Sequence, residues 1–209
     1  TLSATSTYMV SVQIYTFIFN AGLSLLAPGT FAIYRYAELI YGKVSNVFLI
    51  PISTVFFNEI NRFITQNNGQ LVNSYVSKNL NFSYFIGFLI LLPFWAGGQY
   101  LIWTLWGGVK FNANDVQRVY ELLCVFFAAM ISSAPYMIFR KLAVSVTRPE
   151  LQYYFWSIIH VISATIGYFM IRNLGFEGVL IQLFLHNIFM ASVPMLTVRY
   201  WKRAYFGLY

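Results

Sequence analysis

The sequence predicts an all-α integral membrane protein, a bundle of about six transmembrane helices. Three observations predict it. First, 59% of the 209 residues are hydrophobic and only 9% are charged, against about 25% charged in a soluble domain. Second, aromatic residues reach 20%, and Tyr and Trp are the residues that favour membrane interfaces. Third, six segments approach the ~20 mainly apolar residues that a membrane-crossing helix needs.

The first segment runs from about Tyr8 to Leu26 and stops at the Ala27-Pro28-Gly29 turn. The second begins near Thr30 and continues to about Ile60, long enough to span with tilt or with a bend at Pro51. The polar stretch "NRFITQNNGQLVNSYVSKN" follows and is expected to be a connecting loop or an interfacial helix. The third runs from about Phe82 to Leu105, with Trp95, Trp103 and Trp106 at its far end. The loop "GGVKFNAND" leads to the fourth, about Val116 to Phe139. The connector "RKLAVSVTRPE" precedes the fifth, Leu151 to Ile171, and "RNLGFEG" precedes the sixth, Val179 to Tyr200. No internal repeat is evident. With Thr rather than Met first and no charged leader before the first apolar run, an intact signal peptide is not expected. The chain is expected to be cut from something longer.

The net charge of +7 does not point to nucleic acid, because the basic residues stand in ones and twos between apolar runs. Short connections imply an up-and-down bundle. One side then collects Arg62, Lys78, Arg140, Lys141, Arg148, Arg199, Lys202 and Arg203; the other collects only Lys110, Arg118 and Arg172. Positive charge accumulates on the cytoplasmic side of membrane proteins. The C-terminus is therefore expected to be cytoplasmic.

The motifs of enzymes are missing: no Cys/His metal spacing, no phosphate-cradling Gly-rich loop, no serine nucleophile elbow. No cofactor and no metal are expected. The single cysteine, Cys124 in "LLCVFFAAM", reads as a small apolar residue rather than a reactive thiol. His160 and His186 lie in separate apolar segments without evident carboxylate partners. Each reads as a packing or interfacial histidine, with a proton relay as the sharper alternative. Pro51, Pro93, Pro135 and Pro194 fall inside helices, where each removes a backbone donor. They are hinge or kink candidates, and fixed packing kinks are the plain alternative.

The second helix carries the candidate site. Arg35 and Glu38 are three residues apart and so share a face, and helical spacing adds Gly42 and Asn46 to the same stripe. Tyr34, Tyr36 and Tyr41 surround it, and Lys43 lies two turns further in. A charge at the bilayer centre costs at least ~2.5–3.5 kcal/mol, so such residues usually face a bundle interior or a watery cavity. Two readings stand: a cavity-facing polar line, or an interfacial ion pair that snorkels and neutralises itself.

These same residues carry a resemblance. "APGTFAIYRYAELIYGKVSNVFLIPISTVFFNEINRF" resembles, without a gap, the signature helix of the MviN/MurJ-type lipid II flippases. That helix reads roughly Gly-Ser-x-x-x-x-x-Tyr-Ala-Asp-Arg-Leu and ends in Pro-x-Leu-Ser. Gly29, Tyr36, Ala37 and Glu38 fall on matching places. "LWGGVKFNANDV" is similar to a family loop through Lys110, Phe111 and Asp115, "RKLAVSVTRPE" through Arg148 and Pro149, and "LGFEGVLIQLFLHN" through Gly175 and Gly178. The matches run in order from about residue 13 to 203. They resemble the second six-helix lobe of a flippase in the multidrug/oligosaccharidyl-lipid/polysaccharide exporter superfamily. There are departures: Leu39 stands where the family has arginine, and Val44, Asn46 and Asn58 stand where it tends to have Pro, Gly and Pro.

The resemblance implies one lobe of a two-lobe flippase in the bacterial inner membrane, with the partner lobe upstream in the same full-length chain. It implies alternating access around a cationic cavity that binds the diphosphate of an undecaprenyl-linked glycan while the lipid tail stays among membrane lipids. Arg35 would meet the phosphate and Glu38 would orient it, with Tyr34, Lys43 and Asn46 as further cavity candidates. An O-antigen or capsule flippase, a drug or cation antiporter of the same superfamily, and a membrane bundle that moves nothing are the alternatives.

Overall fold

The computed structural model describes residues 2–66, 69–108, 111–146 and 149–205, with the side chains of 132–135, 141, 143–146, 149, 151 and 195–205 left aside. Within these, six helices follow one another: α1 (Leu2–Ser24), α2 (Thr30–Thr65), α3 (Gly69–Trp106), α4 (Ala113–Val146), α5 (Pro149–Leu174) and α6 (Phe176–Tyr205). No strand occurs among the described residues beyond an isolated bridge between Gly107 and Phe111.

The helices outrun the apolar segments. At 1.5 Å per residue, α2 and α3 are each roughly 55 Å long, well beyond a ~30 Å hydrocarbon core. The polar stretch between them is therefore not a loop. Its described residues form the end of α2, which runs to Thr65, and the start of α3, which begins at Gly69. This extension has its own small core, in which Phe56 and Ile60 of α2 meet Val72 of α3 and Ile138 and Leu142 of α4. Polar residues were compatible with a helix here because one face still buries apolar side chains.

The α2, α3, α5 and α6 helices are long and apolar enough to cross a membrane by length and composition. Rows of large apolar side chains point outward from them, such as Phe85, Phe88, Leu89, Leu92 and Trp95 on α3 and Phe155, Ile158, Ile162, Ile166 and Phe169 on α5. Lipid is the solvent such a surface requires. The more polar α4 is central: it packs against α2, α3 and α6 and buries Val116, Val119, Leu122, Leu123 and Met130 almost completely. A helix covered by protein need not match lipid in polarity.

The remaining helix, α1, packs mainly on α5 and only marginally on α2, its neighbour in sequence. Three of its hydroxyls bond back within the helix: Thr7 Oγ1 donates to the Ser3 carbonyl (3.0 Å), Ser11 to Tyr8 (2.7 Å) and Thr16 to Val12 (2.9 Å). Back-bonding of this kind lets hydroxyls sit in apolar surroundings. Small residues set the helix crossings, as usual in membrane bundles: Gly22 of α1 sits against Ile171 of α5, and Gly87 of α3 against Ile131 of α4.

The α3–α4 turn is pinned at both ends. Phe111 is buried in the main core and meets the Tyr36 ring edge-on at 5.0 Å. Asn112 and Asp115 then form a reciprocal cap, each backbone N–H donating to the other's side-chain oxygen at 3.1 and 2.9 Å. Losing such a cap typically costs ~1 kcal/mol. Asn112→Ala should therefore lower thermal stability in detergent by a few degrees and leave the secondary structure unchanged by circular dichroism.

Candidate functional site

The α2 helix begins where Gly29 adopts the left-handed conformation (φ 91°), which turns the chain back from α1. Thr30 donates its hydroxyl to the Ala27 carbonyl at 2.8 Å and closes the turn. One turn into the helix, Arg35 Nη1 donates to Glu38 Oε2 at 2.6 Å. Both side chains are 43% exposed. The guanidinium also lies over the Phe31 ring at 5.0 Å and near the Tyr34 ring at 5.9 Å.

Tyr34 ties the pair to the core. Its ring is buried, 5.2 Å from Phe19 of α1 and 6.1 Å from Phe126 of α4. Its hydroxyl donates to the other Glu38 oxygen at 3.4 Å. Glu38 is thus held from two sides, and Arg35 has guanidinium donors beyond the one that Glu38 accepts. An exposed ion pair adds little to stability, so folding alone does not explain it.

The rest of the stripe is where helical spacing predicts it. Gly42 borders open space, so a Cβ there would touch nothing within 4 Å, and Asn46 and Lys43 are exposed. These two stand ~20–24 Å along the axis from Thr30, well inside the helix. Neither is drawn into the Arg35–Glu38 pair; Asn46 continues the stripe, while Lys43 points to a different side of the helix. Leu39, on that face too, is 61% exposed.

The α2, α3 and α6 helices continue through Pro51, Pro93 and Pro194, the first two exposed and the third buried. The side chain of Pro135 lies outside the described residues, as does Lys110. Among the described residues, no three His, Cys, Asp or Glu side chains are grouped as metal ligands.

A second polar cluster escaped the sequence reading. His160 of α5 and His186 of α6 face each other, ring centres 5.2 Å apart, and Tyr15 of α1 stacks on His186 at 4.2 Å. Ser163 lies 2.9 Å from His186 Nδ1, and Gln182 donates to both the hydroxyl and the carbonyl of Ser163. A signal for it existed. His160 and Ser163 are spaced i,i+3, Gln182 and His186 i,i+4, and the two helices are joined at Gly175, so each polar pair shares a face and the faces meet. The histidines are packing residues here, but they pack on each other.

The family model described as "Lipid II flippase MurJ" matches residues 1–206. The chain belongs to the MurJ family. No curated protein and no solved structure matches it. MurJ membership accounts for the multi-pass apolar helices and makes the chain a flippase-family membrane protein. It also gives the MurJ-like motif positions a physical content in this chain: Gly29 forms the turn before α2, Phe111 anchors the α3–α4 connection, Asp115 caps α4, and Gly175, in the left-handed conformation (φ 63°), turns α5 into α6.

Proposed function

We propose that this chain is one lobe of a flippase that moves an undecaprenyl-diphosphate-linked glycan across the bacterial inner membrane by alternating access. The exposed face of α2 lines the cavity between it and a second lobe encoded upstream. The observation that carries this reading is the exposure of Lys43 and Asn46 in the interior of a membrane-length apolar helix that also presents Arg35 and Glu38. Lipid is a costly neighbour for such a line; a watery cavity between lobes is not.

A diphosphate headgroup cannot cross hydrocarbon unaided, and a planar guanidinium suits phosphate oxygens in two-point contact. Glu38, braced by Tyr34, holds Arg35 in place and tempers its attraction so that the headgroup can leave. Pro51, Pro93, Pro135 and Pro194 are candidates for the flexing positions. The basic side of the bundle, which includes the C-terminus, faces the cytoplasm.

Complementation of a flippase-depleted bacterial strain with the full-length gene tests the site. Arg35→Ala should lower transport by ~10-fold or more, the scale of a lost charged hydrogen bond, with Glu38→Ala milder. Full rescue by both variants at normal protein levels would remove the site and leave the fold untouched.

A further inference from the structure

We infer that Arg140, Trp156 and three surrounding tyrosines form a binding site for the phosphate of a membrane lipid headgroup, at the opposite end of the bundle from Arg35. The site joins three helices. Arg140 of α4 lies over the Trp156 ring of α5 at 5.1 Å and the Tyr136 ring at 5.9 Å, and its Nη1 donates to the Tyr136 hydroxyl at 3.4 Å. Tyr8 of α1 and Tyr153 of α5 complete the box, with Tyr8 5.6 Å from Tyr153 and 5.9 Å from Trp156.

Two features point to an anion. The cluster is rich in donors: a guanidinium has five N–H groups and no acceptor, and an indole has one N–H and no acceptor. Moreover, Trp156 is fully buried and its Nε1–H has no hydrogen-bond partner among the described residues. A buried donor without an acceptor is costly, and an oxyanion supplies the acceptor. Arg140, Tyr8, Tyr136 and Tyr153 are each partly exposed. A guanidinium held by ring faces rather than by a carboxylate keeps its in-plane donors available for phosphate.

Depth selects a lipid. Arg140 is ~9 Å from the end of α4 at Val146, Trp156 ~10 Å from the start of α5, and Tyr8 ~9 Å from the start of α1. All three meet at one level near the same membrane face. Arg35 lies ~8 Å from the other end of the bundle. The phosphate has two possible sources, the isoprenyl diphosphate of the transported lipid or a resident phospholipid. Only the first rests on the flippase reading.

Native mass spectrometry of the full-length protein in detergent, titrated with undecaprenyl diphosphate and separately with phosphatidylglycerol, tests the site. Arg140→Gln should weaken binding by ~10-fold or more, and Trp156→Phe, which keeps a ring but removes the N–H, by ~3–10-fold. Loss confined to the isoprenyl diphosphate makes this a loading point for substrate; loss confined to phosphatidylglycerol makes it a resident lipid site. The proposal fails if Arg140→Gln binds both lipids as tightly as wild type. Should that variant not fold, the same result with Trp156→Phe decides against it. Binding is read without transport, so a protein that binds lipid here yet fails to flip it leaves this site standing and sinks the flippase reading instead.

Discussion

Gly178→Leu should abolish the folded protein, and Gly178→Ala should already cost ~1–3 kcal/mol, the usual range for overpacking. Gly178 sits in the first turn of α6, just after Gly175 reverses the chain. A Cβ on Gly178 would run into the carbonyl oxygen and carbon of Met170 and the nitrogen of Ile171 in α5. These are backbone atoms, so no rotamer change relieves the clash, and the two helices must separate. Separation would disturb Val179 and Ile171, both fully buried, and further along the pair it would loosen the contact of Gln182 with Gly167. Gly97→Ala is the control: nothing lies within 4 Å of its Cβ position, and alanine favours a helix by up to ~1 kcal/mol over glycine. Fluorescence-detected size exclusion and thermal melting in detergent should show Gly97→Ala unchanged or stabilised and Gly178→Ala clearly less stable. Equal behaviour of the two would mean that α5 and α6 do not approach this closely.

The parts of this fold that depend on local spacing were legible, and those that depend on which distant helices touch were not. Hydropathy located six helices, four of them long and apolar enough to cross a membrane. The i,i+3 spacing brought Arg35 to Glu38 because neighbours on one helix face need no tertiary information. The ends were misjudged for a physical reason: the run from Asn61 to Asn79 is polar, yet Ile60 and Val72 still bury one face of the continuing helices against α4. Short connections imply an up-and-down order but not which helices touch, and α1 packs on α5. That long-range choice is what assembles Tyr8 with Tyr153 and Trp156, and Tyr15 with His160 and His186. Neither cluster can be read from segments taken singly. Exposure of Lys43 and Asn46 depends on the same choice, since it reports which side of α2 the other helices leave open.

Arg35→Glu should reduce transport by more than the alanine variant, by ~100-fold or more, because it sets two carboxylates one turn apart and turns phosphate attraction into repulsion. The decisive measurement is the exchange of the two residues, Arg35→Glu with Glu38→Arg. The exchange keeps an ion pair at the same spacing on the same face, and moves the guanidinium ~4.5 Å along the helix. It also leaves the Tyr34 hydroxyl, now bonded to Glu38, without its carboxylate at position 38. If the pair merely neutralised itself at the membrane interface, the exchange would restore wild-type transport. If Arg35 meets a diphosphate beside a Glu38 that Tyr34 braces, the exchange stays defective, because it takes the carboxylate away from the Tyr34 hydroxyl. A second arm sharpens this: Leu39→Arg added to Arg35→Ala returns a guanidinium to the exposed face one turn away, at the place where the MurJ pattern carries arginine. Leu39 is already 61% exposed, so the new side chain displaces no core packing. Partial recovery of complementation is expected for Leu39→Arg with Arg35→Ala and none for the exchange. Wild-type growth from the exchange would identify Arg35 and Glu38 as a structural pair and return the search for the headgroup contact to Lys43 and Asn46.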